Sequence, residues 1–177
     1  MSNYDWPIRF REVYHAAGRR YHAGERDPWK LFSKAELEFL ATIGCTAQEL
    51  FDFIDDGVRY GEPEYESVLL AAAVRRDYFL LEQNGEPSRQ AVSMDSLPAK
   101  TDEVDGIPWL PRIIVKARAK LRGEMPPELM YGCGGDRPFL RSMNVELSEF
   151  LRLVWLSGDN DRKIIDYMKV RRAQRAP

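Results

Sequence analysis

Arg112, Lys116, Arg118, Lys120 and Arg122 lie within Leu110–Arg122, and no acidic residue interrupts them. Arg112, Lys116 and Lys120 recur at i, i+4 and i+8, which is one row along a helix. Leu110, Ile113, Ile114, Ala117 and Leu121 form the apolar stripe beside that row. Lys120 and Arg122, just before the cap residue Gly123, suit the negative end of the helix dipole. Arg112 and Lys116 stand near its positive end and need another reason. Either they hold an anion or pair with carboxylates of another segment, or they belong to a solvated face.

The next segment with chemical potential is Tyr131-Gly-Cys-Gly-Gly-Asp136-Arg137-Pro138. Its glycines permit backbone conformations closed to other residues and let a ligand approach closely. Asp136 is placed to cap a following helix, with Pro138 in the first turn. Free N–H groups at such a helix start can bind an anion. Yet the segment matches neither the phosphate-loop nor the dinucleotide fingerprint, and Asp136 would occupy the position an anion needs. An anion site and a purely structural turn both remain open. Cys133 would be a nucleophile if Arg137 or the helix start lowered its pKa. The histidines, His15 and His22, are about 10.5 Å apart along a helix, too far to share a metal. No metal site and no cofactor are expected.

Val68–Leu81 is apolar on every side except at Arg75, Arg76 and Asp77, the pattern of a buried helix. At least one arginine must then point inward, where it needs a carboxylate, a backbone carbonyl or a bound anion. The ligand-binding candidates are therefore Arg112, Lys116, Tyr131, Cys133, Asp136 and Arg137, with Arg75 and Arg76; catalytic residues are unknown.

The elements that must position these residues read as helices. Phe10, Val13, Tyr14, Ala17 and Tyr21 keep a 3–4 spacing that predicts a helix from about Trp6 to His22. Ser33-x-x-Glu36 and Thr46-x-x-Glu49 fit the capping box. Pro63 fits the first turn of a helix running to about Gln83, and Asp159 fits the N-cap of the last helix. No segment alternates for long, so the expected fold class is all-α with seven to nine helices.

The chain also repeats weakly at an offset of 100 residues. Phe39–Gly44 lies over Phe139–Asn144, and Glu49-Leu50-Phe51 over Glu149-Phe150-Leu151. Gly44 and Asn144 are the residue types that enter the left-handed conformation ending a helix. Later, with a connection four residues shorter, Val74-Arg75-Arg76 meets Val170-Arg171-Arg172. The expectation is a single domain, 1–177, of two weakly duplicated helical units around a shared core. The units span about 33–84 and 136–173, joined by a Pro- and Gly-punctuated strap, 85–107, and the basic helix, 108–122.

Bulk properties narrow the classes. The chain has 177 residues, 44% hydrophobic with 11% aromatic, enough for a core without disulfides or metals. A net charge of −2 gives no global field for nucleic acid. Cys45 and Cys133 read as free intracellular thiols. The charged N-terminus has no apolar run of a signal peptide, and Ser67–Val74 is too short to span a bilayer, so a cytoplasmic protein is expected.

LPRIIVKARAKLRG (Leu110–Gly123), YGCGGDRPFL (Tyr131–Leu140) and AAVRRDYFL (Ala72–Leu80) together resemble the domain-of-unknown-function family 5069, a bacterial family without an assigned activity. The resemblance covers about Trp29 to the C-terminus. Val115 departs from the acidic residue associated with that place in many members. The resemblance implies a small helical cytoplasmic protein and brings no catalytic residues.

Four functions compete at this level. One is a binding module for a small anionic ligand at the basic helix and glycine-rich loop. Another is a protein-interaction or homo-oligomeric assembly module, marked by an exposed Trp109 or Trp155. An enzyme would have to assemble its site from Tyr131, Cys133, Asp136 and Arg112, without a recognisable motif. Nucleic-acid binding through the tail Lys169–Arg175 ranks last.

Overall fold

The computed structural model describes residues 4–174. Among them are eight α-helices and a single short hairpin, so the fold is all-α. The chain divides into two compact units, between Glu86 and Pro87.

The first unit holds α1 (Trp6–His22), α2 (Lys34–Thr42), α3 (Ala47–Tyr60) and α4 (Tyr65–Leu81). α1 buries Phe10, Val13, Ala17 and Tyr21, the stripe read from the spacing, and packs on α3 and α4. Ser33 with Glu36, and Thr46 with Glu49, form the two capping boxes that start α2 and α3. Glu36 also accepts from Arg20 at 2.8 Å, tying α2 to α1. Burial pushes the Glu36 carboxyl up, but the bonds from Arg20 and Ser33 outweigh it and hold it below the usual range. Pro63 departs from expectation. The chain reverses at Gly61, whose φ is 72°, and α4 starts only after Glu64, so Pro63 belongs to the turn.

The second unit holds the strap from Pro87 onward, then α5 (Leu110–Arg122), α6 (Asp136–Ser142), α7 (Leu147–Ser157) and α8 (Asp161–Ala173). Within the strap are one 3-10 turn, Met94–Ser96, and an antiparallel hairpin of β1 (Glu103–Val104) and β2 (Ile107–Pro108). Between the strands Asp105 and Gly106 both take positive φ, the backbone that a tight two-residue hairpin turn demands. The strap is tied to its unit at both ends. Val92 N donates to Glu124 O at 3.0 Å, and Trp109 N to Asp102 O at 3.1 Å. α5 packs on α7, and α7 on α8.

The units repeat one local design. Gly44 and Asn144 take φ of 65° and 55°. The following amides, Cys45 N and Val145 N, reach back to Leu40 O and Leu140 O, each at 3.0 Å. Glu146 and Glu149 form a third capping box at the place of Thr46 and Glu49. Leu50 and Phe150 are buried alike, as are Ile54 and Val154. Two caps differ from the sequence reading. The N-cap of α8 is Asn160, whose side chain accepts from Lys163 N, rather than Asp159. That of α6 is Gly135, because the Asp136 carboxylate is drawn elsewhere.

Candidate functional site

The basic row of α5 is turned inward. Lys116 is 2% exposed and Lys120 is also buried, so neither belongs to a solvated face. Lys116 Nζ lies 2.5 Å from Asp136 Oδ2 and 3.3 Å from Cys133 Sγ. The same Oδ2 accepts from Gly132 N at 2.9 Å, and Oδ1 accepts from the Trp109 indole N–H at 2.9 Å. A cation, a loop amide and an indole thus converge on one carboxylate that is 0% exposed. The glycine-rich loop does gather donors around an anion. The anion is the side chain of Asp136.

The rest of the loop locks this arrangement. Arg137 Nη1 donates to Gly132 O at 2.7 Å, so both sides of the Gly132 residue are held by the start of α6. Tyr131 is buried and donates to Leu147 O at 2.8 Å. Burial, and then the Asp136 charge, push its hydroxyl well above the usual tyrosine range. Gly135 lies against the Trp109 ring, where an added Cβ would come within 2.5 Å of Cζ2. Trp109 itself takes a φ of 69° just before α5. Its part in the site had no signal in the sequence.

Arg112, Arg75 and Arg76 make other contacts. Arg112 Nη1 donates to Pro98 O at 2.7 Å and fastens the strap. Arg75 and Arg76 lie in the first unit and both are buried, where the helix pattern required at least one to be. Arg75 donates to Gln83 Oε1 at 2.9 Å and stands over the Phe79 ring, while Arg76 pairs with Asp77 and stands over Trp6. The basic tail is engaged internally as far as it is described. Lys169 bonds Asp105, Arg171 donates to Asn144 O at 2.6 Å, and Arg172 to Gly106 O at 3.2 Å. Arg175 lies outside the described residues. The bond from Lys169 holds the Asp105 carboxyl below its usual range.

An open cleft that the sequence did not reveal lies in the first unit, between α1 and α3. Its volume is about 580 Å³. Tyr14, His15, Gly18, Arg19 and His22 of α1 form one wall, and Ile54, Gly57 and Val58 of α3 the other. Gly61, Pro63 and the carboxylate-bearing Glu64 also line it. His15, Arg19 and His22 follow an i, i+4, i+7 stripe, so three side chains able to carry positive charge line one wall. Two glycines inside helices make the room. A Cβ on Gly18 would meet nothing within 4 Å, and one on Gly57 would come within 3.3 Å of the Tyr14 hydroxyl. Burial, and then the neighbouring Tyr65, raise the Tyr14 pKa, so its hydroxyl stays a hydrogen-bond donor. Helix-interior glycines were the available signal.

Among the described residues no cluster of His, Cys, Asp and Glu could hold a metal ion, and no helix is long and apolar enough to cross a membrane. Residues 96–177 match the family model described as Domain of unknown function (DUF5069). The match contains the basic helix and the glycine-rich loop, and Ala72–Leu80 lies outside it. Comparisons with curated proteins and with solved structures found no match.

Proposed function

We infer that the protein is a helical binding module for a small anionic ligand, and that the ligand sits in the cleft between α1 and α3. One contrast carries this reading. Lys116, the Gly132 amide and the Trp109 indole are already spent on Asp136, and Arg137 on Gly132 O, whereas His15, Arg19 and His22 border open space. The opposite wall, with Ile54 and Val58, is apolar, so the fitting ligand joins a carboxylate or phosphate to an apolar body.

Calorimetry and thermal denaturation with benzoate and with inorganic phosphate test this. Saturable binding of either ion is expected, adding about 2.7 kcal/mol of stability at a concentration near 100 Kd. Arg19→Ala removes a charge and Gly18→Leu fills the cleft, so both should abolish binding. Arg112→Ala should leave it intact. Loss of binding in Arg112→Ala alone would return the ligand to α5.

A second reading, a homo-oligomeric assembly module, has support in Leu156 on α7, which is 73% exposed. Its other markers are weaker, because Trp109 and Trp155 are both half-buried. Native mass spectrometry showing a dimer without retained small molecules would favour it over the binding reading.

A further inference from the structure

Lys116 touches Cys133 as well as its ion-pair partner Asp136. An ion pair with Asp136 would be complete without a thiol, yet Sγ stands 3.3 Å from the ammonium nitrogen. The two groups differ in access. Cys133 is partly exposed, on a loop between Gly132 and Gly134, while Lys116 is buried behind it. The residue that carries the thiol thus opens to solvent, and the amine nitrogen is held 3.3 Å from the sulfur. Behind the nitrogen lies Asp136 Oδ2, a proton acceptor in hydrogen-bond contact.

We propose that this is a redox modification site, where hydrogen peroxide drives a covalent sulfenamide bridge between Cys133 Sγ and Lys116 Nζ. In the first step the sulfur attacks one peroxide oxygen. An S–O bond forms, the O–O bond breaks, and hydroxide leaves as water with the thiol proton. Cys133 becomes a sulfenic acid and the peroxide is reduced. In the second step Lys116 passes a proton to Asp136, and the freed amine attacks the electrophilic sulfur. The S–N bond forms, the S–O bond breaks, and the sulfenic hydroxyl leaves as water with a second amine proton. The sum is one thiol, one amine and one peroxide giving one S–N bond and two waters. Sulfenic acids are known to condense with nitrogen in this way.

Position favours the bridge over further oxidation. The amine is already in contact with the sulfur, so capture is intramolecular and has a high effective concentration. A second peroxide must arrive from solution. Closing the bridge removes the Lys116 charge and leaves Asp136 protonated, so the ion pair of the second unit disappears when the bridge forms. Reduction by a thiol restores it. The residues of the site all lie in the second unit, and none of them lines the α1–α3 cleft.

The test uses the full chain carrying Cys45→Ser, which excludes a disulfide of the same mass. After limited hydrogen peroxide and non-reducing trypsin digestion, cleavage after Lys116 should be lost. Ile113–Arg118 should appear linked to Gly123–Arg141, at about 2 Da below the sum of the two peptides, and dithiothreitol should release them. Oxidation of Met125 or Met130 registers separately as added oxygen on the same peptide. In Lys116→Arg the bridge cannot form, and Cys133 should advance to sulfinic acid. The proposal is overturned if, with Lys116 present, Cys133 accumulates as sulfenic or sulfinic acid while cleavage after Lys116 continues. That readout needs no substitution at the pair itself, so it holds even if Lys116→Arg does not fold.

Discussion

Lys116 and Asp136 form an ion pair shut off from water, with side chains 2% and 0% exposed and Nζ 2.5 Å from Oδ2. Such a pair is tolerated because its remaining hydrogen bonds are supplied. Asp136 also accepts from Gly132 and Trp109, so both of its oxygens are satisfied. The pair fixes where α6 starts relative to α5. Its net contribution is small beside the cost of breaking it.

Asp136→Ala should therefore destabilise the protein by about 3–5 kcal/mol, because it strands a buried ammonium. Adding Lys116→Met should recover much of that loss, since no uncompensated charge remains. Urea denaturation of the two variants checks this. Equal losses in the single and double variants would mean that the pair acts through packing alone.

Gly44 and Asn144 share a conformation but not a tolerance. Gly44→Ala would place a Cβ 2.6 Å from Phe79 Cγ at a φ of 65°. Its cost should exceed the roughly 1–2 kcal/mol of left-handed strain alone. Asn144 is exposed, so Asn144→Gly should change stability by no more than about 0.5 kcal/mol. Thermal denaturation of both variants separates strain from crowding.

Gly135 has an ordinary φ of −93°, so only space opposes a side chain there. Gly135→Ala should push the Trp109 ring away and break its bond to Asp136. The expected loss is about 1–3 kcal/mol, the range for overpacking. A changed tryptophan emission in the folded state should accompany it. An unchanged spectrum would show that the ring yields without leaving Asp136.

Tyr131 gives the alkaline limb of stability a definite sign. Its folded-state pKa is raised well above that of the unfolded chain, so the folded state holds the proton more tightly. That contribution is complete below the unfolded value of about 10 and falls as pH rises from there through the folded value. Tyr131→Phe should cost about 1 kcal/mol near neutrality, the hydrogen bond to Leu147 O. It should also flatten the decline above pH ~10 without abolishing it, because Tyr14, Tyr65 and Tyr167 are raised too. Denaturation midpoints from neutral to strongly alkaline pH, in both proteins, measure the difference.

The parts of this fold legible in the sequence are those decided within one or two turns of chain. The capping boxes at Ser33 and Thr46 need only a hydroxyl, a carboxylate and two amides that are close in sequence. The apolar stripe of α1 follows from a period of 3.6, and Gly44 and Asn144 from the few residue types that accept positive φ. The inward arginines of α4 were legible too, because a helix apolar all round leaves a charge no outward face. Local competition was harder to judge. Asn160 rather than Asp159 caps α8, a shift of one residue between two good caps.

Which stretches are helical, where most of them begin and end, and the pattern shared by two helical units all follow from the order of residues alone. Tertiary structure alone decided what the charged residues do. A row such as Arg112, Lys116 and Lys120 faces water unless another segment covers it. For Lys116 the cover is the loop that ends at Asp136, too far along the chain for spacing to reveal. The α1–α3 cleft is likewise a gap between segments remote in sequence, bounded by glycines whose missing side chains become empty space only once the helices pack. Helix signals are short-range, whereas burial and cavities depend on contacts between distant segments.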